Sequence, residues 1–229
     1  MGQFITLTAA DGFTFSAYIA QPEGKPRAAM VVVQEIFGVN SHICEVADRF
    51  AAEGYLAVAP AAFDRIKTSV DLGYNEAGMT QGIALKAAVE ALPGAGVLQD
   101  IQAAIDHASK ISGAKVGIIG FCWGGLLAWR AACMLDGLSA AVPYYGGGMT
   151  LTNEIARQPK VPVLAHFSDR DHSISMESIT AFIKAHPEVQ AHVYSADHGF
   201  NCDQRGAYDE ASAKLARERT LAFLAEKLA

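Results

Sequence analysis

Short, almost uninterrupted apolar runs recur along the chain, and helix-like segments separate most of them. Such runs are typical of strands that are covered on both faces inside a parallel sheet. Strands that alternate with helices predict an α/β fold with a mostly parallel central sheet and helices on both faces. The predicted strands are Ala28–Val33, Tyr55–Pro60, Val116–Phe121, Ala140–Tyr144, Pro162–Phe167 and Val189–Tyr194, and the predicted helices are Ile43–Glu53, Val97–Ser109, Trp123–Leu135, Met176–Ala185 and Tyr208–Leu228.

The two ends of the chain have simpler patterns than the middle. Alternating segments around Phe4–Leu7 and Phe13–Ile19 flank Asp11-Gly12, a dipeptide favoured in tight turns, which predicts an antiparallel hairpin. The last predicted helix mixes apolar and charged residues at helical spacing, so we expect it to pack by one face. Residues 63–96 combine glycines, a proline and an Ala-rich stretch, and the pattern leaves their structure open. Without repeats or a linker, we expect residues 1–229 to form one domain.

Charge and composition exclude several classes of partner. The chain has 18 Lys and Arg against 24 Asp and Glu, a net charge of −6, which is unlike the basic footprint of proteins that bind nucleic acid or anionic membranes. The apolar runs are too short to cross a bilayer, and the N-terminus lacks the pattern of a secretory signal, so we expect a cytoplasmic protein. The four cysteines show neither CxxC pairing nor zinc-type spacing, which predicts free thiols. Oligomeric state is not encoded in any of these patterns.

The segment GFCWGG at 120–125 joins a predicted strand to a predicted helix. It matches the nucleophile elbow G-x-S-x-G with Cys122 in place of serine, where small residues two before and two after the nucleophile relieve a strained turn. The N–H groups and dipole at the start of the helix favour a thiolate and can donate to an oxyanion. The alternative is an ordinary buried cysteine beside a glycine-rich turn. We predict that Cys122 is a nucleophile.

A nucleophilic cysteine needs a histidine base, and that histidine needs a third group to fix its tautomer. After the later predicted strands come a loop with Asp169 and Asp171 and a loop with Asp197 and His198. The order nucleophile, acid, histidine is that of α/β-hydrolases, so we predict His198 as the base and Asp171, ahead of Asp169 and Asp197, as the acid. The other histidines have weaker positions: His172 shares the acid loop, His107 and His186 are predicted on helix surfaces, and His166 and His192 in strands.

Four motifs resemble the dienelactone hydrolase family of the α/β-hydrolase fold: QEIFG at 34–38, GFCWGG at 120–125, the loop around Asp171, and YSADHGF at 194–200. The resemblance covers nearly the whole chain. It implies that Cys122, His198 and Asp171 form a catalytic triad. It also implies that the carboxylate of Glu35, which by position alone would be a solvated loop acid, takes part in activating the thiol. The implied oxyanion hole is formed by the backbone N–H groups of Ile36 and Trp123. No metal or organic cofactor is implied.

The chain departs from the family where substrate is held. Characterised members use arginines for the carboxylate of dienelactone, and one of them lies where this chain has Cys202, with Arg205 nearby but out of register. The region around Asn75–Gln81, where another is expected, contains no arginine. We therefore expect a small lactone or ester substrate, with a thioester as an equal possibility. Acyl transfer, peptide cleavage and a non-enzymatic thiol sensor are the alternatives.

Overall fold

The computed structural model describes residues 2–229, and its centre is a sheet of eight strands in the order β1-β2-β4-β3-β5-β6-β7-β8. The first two strands pair with each other and β2 pairs with β4 in antiparallel fashion, and all other neighbours are parallel. This confirms the predicted α/β fold with a mostly parallel sheet. The strands are β1 (Gln3–Thr8), β2 (Thr14–Ala20), β3 (Ala28–Val33), β4 (Tyr55–Pro60), β5 (Val116–Phe121), β6 (Leu138–Tyr144), β7 (Leu164–Ser168) and β8 (Gln190–Tyr194).

Helices lie on both faces of this sheet, and two apolar clusters fill the space between the layers. One cluster joins the sheet to the helices at 76–90, 97–112, 123–134 and 176–185, and the other joins it to the helices at 41–52 and 210–227. No helix in residues 2–229 has the length and apolar character needed to cross a bilayer. The helices are α1 (Ser41–Ala52), α2 (Glu76–Glu90), α3 (Val97–Ser112), α4 (Trp123–Met134), α5 (Thr152–Ile155), α6 (Met176–Ala185) and α7 (Glu210–Lys227).

The hairpin at the start is confirmed, with Gly12 at φ 86° and the Phe13 amide donating to the Asp11 carboxylate at 3.1 Å. The open segment 63–96 contains α2, whose first turn is capped by Asn75, since its side-chain oxygen accepts from the Gly78 amide at 2.8 Å. One prediction is wrong. His186 is buried rather than on a helix surface, because it ends α6 and its Nε2 lies 2.8 Å from the Ile155 carbonyl oxygen.

A buried polar network fastens α7 to three strands. His166 Nε2 lies 3.0 Å from the Thr220 hydroxyl, and His166 Nδ1 lies 2.8 Å from the Tyr194 hydroxyl. The Thr220 hydroxyl is also 2.7 Å from the Tyr144 hydroxyl. Burial lowers the pKa of His166 well below its ordinary value, so the ring is neutral. Thr220 is therefore the shared partner of two groups that are costly to leave unpaired.

Replacing Thr220 with valine should destabilise the fold by about 1–3 kcal/mol, because it removes a hydroxyl that both His166 and Tyr144 contact in the interior. Urea unfolding measures this change. Thr180→Val is the matched control, since Thr180 is exposed and its hydroxyl donates only to the Met176 carbonyl of its own helix. Equal changes in the two variants would show that the network adds nothing to stability.

Candidate active site

The loops that follow β3, β5, β7 and β8 bring Glu35, Cys122, Asp171 and His198 to the carboxyl edge of the parallel strands. This edge is where an open α/β sheet binds its ligands, because the loops there diverge and leave a crevice. All four residues were predicted from sequence as site residues. The structure gathers them at one edge of the sheet.

Cys122 occupies a strained turn between the last residue of β5 and the first residue of α4. Its φ is 55° and its ψ is −117°, a backbone conformation that side chains rarely adopt. A Cβ at Gly120 would collide with the Gly124 carbonyl, and a Cβ at Gly124 would collide with the carbonyls of Val33 and Gln34. The glycines of the motif are thus required because three backbone segments meet without room for side chains.

The same contact brings the end of β3 against the start of α4. The two predicted oxyanion-hole residues, Ile36 and Trp123, therefore lie on neighbouring segments. Trp123 is the first residue of α4, where backbone N–H groups lack partners inside the helix. None of the backbone hydrogen bonds between elements of residues 2–229 uses the N–H of Ile36 or of Trp123. Both donors remain available to an oxygen outside the chain's own backbone.

His198 and Asp171 form a short hydrogen bond, with 2.7 Å between His198 Nδ1 and Asp171 Oδ2. The other oxygen of Asp171 accepts from the backbone amides of Ser173 and Ile174 at 2.7 and 3.1 Å, which holds the carboxylate in place. The alternative acids lie elsewhere: Asp169 is exposed, and Asp197 faces Arg170 at 3.5 Å, while His172 is exposed on the acid loop.

The environment of His198 favours the charged imidazolium. Burial alone would lower the pKa of this ring, but its hydrogen bond with Asp171 and its interaction with Cys122 outweigh burial and raise the pKa to about 10. The Tyr145 ring packs on the imidazole with 5.1 Å between centroids. Asp171 therefore holds the imidazole by a hydrogen bond, and Cys122 lies close enough to His198 to raise its pKa.

Glu35 is not a solvated loop acid, since its side chain is only 1% exposed. Its Oε1 accepts from Arg205 Nη1 at 3.0 Å, and its Oε2 accepts from the Tyr74 hydroxyl at 2.9 Å. The Arg205 guanidinium carbon also lies 5.7 Å from the ring centres of Phe37 and Tyr74. A buried carboxylate with a charged partner, at the strand edge that also carries the candidate nucleophile, is typical of functional sites.

Sequence reasoning missed two residues of this site. Arg205 was set aside as out of register, yet the loop after His198 turns back at Cys202 and delivers the guanidinium to Glu35. Tyr145 follows β6 at φ 36°, and its hydroxyl is buried without a hydrogen-bond partner in the described part of the chain. Burial and the nearby Glu35 raise the pKa of Tyr145 well above its ordinary value. Tyr145 directly follows a predicted strand, and this position in the sequence could have indicated that it lies at the site.

Glu35 also lies beside two further side chains that could hold a metal ion. One ligand atom from each of Glu35, His42 and Cys202 lies within 4.8 Å of the others, and all three residues are buried. Burial and, to a smaller extent, the Glu35 charge raise the pKa of the Cys202 thiol to about 11. The site thus contains a second thiol that is distinct from the elbow cysteine.

The sheet and the elbow together define an α/β-hydrolase. In fold the chain matches a dienelactone hydrolase-like promiscuous phosphotriesterase from metagenomic libraries (TM-score 0.79, 23% identity, 100% of this chain and 99% of the other) and an esterase from Pyrococcus furiosus (TM-score 0.73, 15% identity, 100% and 93%). A structure from Klebsiella pneumoniae subsp. pneumoniae, solved as a candidate dienelactone hydrolase, has a TM-score of 0.81 and 31% identity over 97% of this chain and 99% of its own.

Sequence comparison identifies the family. The chain is 35% identical to the carboxymethylenebutenolidase of Pseudomonas putida, over 96% of this chain and 95% of the relative. The model of the dienelactone hydrolase family matches residues 15–228. This chain belongs to the dienelactone hydrolase family, as the resemblance of its motifs implies, and it is a carboxylic ester hydrolase of that type.

The charge of His198 can be tested by its titration. Because its pKa is raised from an ordinary 6.5 to about 10, the ring should stay protonated at neutral pH, and its stabilising contribution should be lost as the pH rises through about 10. Asp171→Asn removes one of the partners that raise this pKa, so we expect the His198 midpoint to fall. Nuclear magnetic resonance of the histidine ring protons measures it, with His192 as an internal control that should not move. A His198 midpoint near 6.5 in the unaltered protein would contradict this assignment.

Proposed function

We propose that this chain hydrolyses a lactone or carboxylic ester through nucleophilic attack by Cys122. In this proposal His198 transfers protons, Asp171 orients His198, and Glu35 takes part in activating the thiol. The observation that carries the proposal is the chain of interactions from Asp171 through His198 to a thiol held in a strained elbow. A structural cysteine needs neither an oriented imidazole nor a positive φ.

The reaction begins when the Cys122 thiolate attacks the carbonyl carbon of the substrate. The carbonyl oxygen becomes an oxyanion that accepts from the N–H groups of Ile36 and Trp123, and loss of one such donor in an enzyme costs about 2.7–4 kcal/mol of barrier. As the tetrahedral adduct collapses, the carbon–oxygen bond of the ester breaks and the leaving oxygen takes a proton from the His198 imidazolium. A thioester on Cys122 and a neutral imidazole remain.

Water completes the cycle. Neutral His198 accepts a proton from water as the hydroxide forms a bond to the thioester carbonyl, and the second adduct collapses to a carboxylic acid and the Cys122 thiolate. Asp171 stabilises the imidazolium in both half-reactions, because its Oδ2 accepts from His198 Nδ1 throughout. In a lactone, the first leaving oxygen stays attached to the acyl chain as a hydroxyl.

The Glu35–Arg205 ion pair supports a substrate that carries a negative group. The guanidinium is 15% exposed, whereas the carboxylate is 1% exposed, so an incoming anion can reach Arg205 but not Glu35. A substrate carboxylate that pairs with Arg205 would free Glu35 Oε1, and the uncompensated buried carboxylate would then accept the proton of the Cys122 thiol. Substrate binding and thiolate formation are coupled in this way. Because the sequence around 75–81 contains no arginine, the substrate anion has one arginine contact rather than two.

Cys122→Ala should lower turnover of a small activated ester by at least about a thousandfold, because the acyl group then has no atom to which it can be transferred. Mass spectrometry of acid-quenched unaltered protein should find the acyl mass on the peptide containing Cys122. Cys133→Ala, at the C-terminal end of α4, is the matched control and should retain both turnover and adduct. An adduct on another residue, or Cys122→Ala with full turnover, would refute the proposed nucleophile.

Arg205→Gln should slow an ester that carries a carboxylate more than a neutral ester of the same size. Loss of a charged hydrogen bond costs about 1.5–3 kcal/mol, so the ratio of the two kcat/KM values should fall by roughly 10- to 150-fold. Arg217→Gln is the control, since Arg217 pairs at 2.7 Å with the exposed Glu53. If Arg205→Gln slows both esters equally, Arg205 supports the pocket but does not bind the substrate's charge.

A further inference from the structure

Three buried ligand groups of different chemistry meet beside the proposed nucleophile. Glu35 comes from the loop after β3, His42 from the first turn of α1, and Cys202 from the loop after β8. Their oxygen, nitrogen and sulfur atoms all lie within 4.8 Å of one another, and His42 and Cys202 are completely buried. The proposed hydrolysis needs neither His42 nor Cys202, so their convergence on Glu35 requires another explanation.

His42 is oriented as a metal-binding histidine would be. Its Nδ1 lies 3.3 Å from Asp203 Oδ1, and a carboxylate there assigns the proton to Nδ1 and leaves a lone pair on Nε2. The Nε2 atom is buried and has no hydrogen-bond partner among residues 2–229. A buried imidazole nitrogen without a partner is costly in a protein interior. A ligand on Nε2 would remove that cost.

We propose that Glu35, His42 and Cys202 form a binding site for Zn²⁺, with Asp203 as the residue that positions His42. One thiolate, one imidazole and one carboxylate are the ligand types that Zn²⁺ takes, and three protein ligands leave a fourth position for water or a substrate group. The donor set is unsuitable for Ca²⁺ or Mg²⁺, which take mainly oxygen ligands. Tetrahedral zinc bonds place ligand atoms about 3.3–3.8 Å apart, so side chains within 4.8 Å need only small rotations.

Zinc would compete with Arg205 for the same carboxylate. Glu35 Oε1 now lies 3.0 Å from Arg205 Nη1, and a bound divalent cation would repel that guanidinium and take its place. Cys202 would bind as the thiolate and release its proton to solvent. The regulatory consequence, which rests on the proposed function, is inhibition, because a Glu35 held by zinc cannot accept the Cys122 proton. The ion would be an inhibitor rather than a cofactor.

The test is a titration of the untagged, chelator-treated full-length protein with Zn²⁺ against a chromophoric chelator, followed by the same titration with Co²⁺. We expect one ion per chain and, with Co²⁺, an absorption band from thiolate-to-metal charge transfer. Cys202→Ala should abolish the band and weaken Zn²⁺ binding at least a hundredfold. Cys133→Ala is the matched control and should bind as the unaltered protein does.

Two further variants locate the ion without disturbing the interior. Asp203→Asn should weaken Zn²⁺ binding about 10- to 100-fold, because loss of a carboxylate that orients a ligating histidine has effects of that size. The Asp203 side chain is 38% exposed, so this variant should fold even if Cys202→Ala does not. Arg49→Gln is its control, because Arg49 is the other partner of Asp203, at 3.3 Å, and does not contact the cluster. It should bind Zn²⁺ normally.

Cys122→Ala separates this site from the proposed nucleophile and should retain both Zn²⁺ binding and the cobalt band. Binding that survives in Cys202→Ala but is lost in Cys122→Ala would place the ion on the catalytic thiol and overturn the proposal. An unaltered protein that hydrolyses esters but binds no ion would overturn the zinc site alone. A protein that binds Zn²⁺ through Cys202 but has no Cys122-dependent turnover would overturn the proposed function alone. Inhibition by Zn²⁺ that chelation reverses and Cys202→Ala abolishes would support both.

Discussion

The backbone conformation at Cys122 is the constraint on which the rest of the site depends. A φ of 55° can be maintained only if the segments on either side are held, and here Gly120 and Gly124 let β5, α4 and the end of β3 meet in direct backbone contact. That contact places Cys122 at the edge of the strands, directly before the first N–H groups of α4, and brings the loop that carries Ile36 against the same helix. A methyl group at either glycine would separate these segments, so one steric requirement governs the proposed nucleophile and both proposed oxyanion donors together.

The second layer of the site is electrostatic, and it is unusual because its charges are buried. Glu35 and Arg205 form an ion pair whose carboxylate is 1% exposed. Burial of such charges costs desolvation free energy, so buried charges are found where they are well paired or where they have a function. Tyr145 and Cys202 lie close enough to this pair for their pKa values to be raised by the Glu35 charge. A substrate anion, a thiol proton or a metal ion would therefore each change the charge or the pairing of the same carboxylate.

Much of this arrangement could be predicted from sequence, and the failures have physical causes. Buried strands and long helices were recognised because their apolar periodicity is dictated locally, and the order of nucleophile, acid and histidine identified residues that the structure brings together. Arg205 was missed because its contact with Glu35 depends on how a loop turns back across space, which register along the chain does not reveal. The burial of His186 depends on a carbonyl from another element. The cluster of Glu35, His42 and Cys202 joins two loops and the first turn of α1, which share no common motif.

The most direct test of the account is isotope-edited infrared spectroscopy of the acyl-enzyme. An ester labelled with ¹³C at its carbonyl should produce, during turnover, a carbonyl band at a thioester frequency that is absent from Cys122→Ala. The band should decay at the rate at which free acid appears, since the thioester is the intermediate that water cleaves. Turnover without that band, or with a band at an oxygen-ester frequency, would contradict the assignment of Cys122 as the nucleophile.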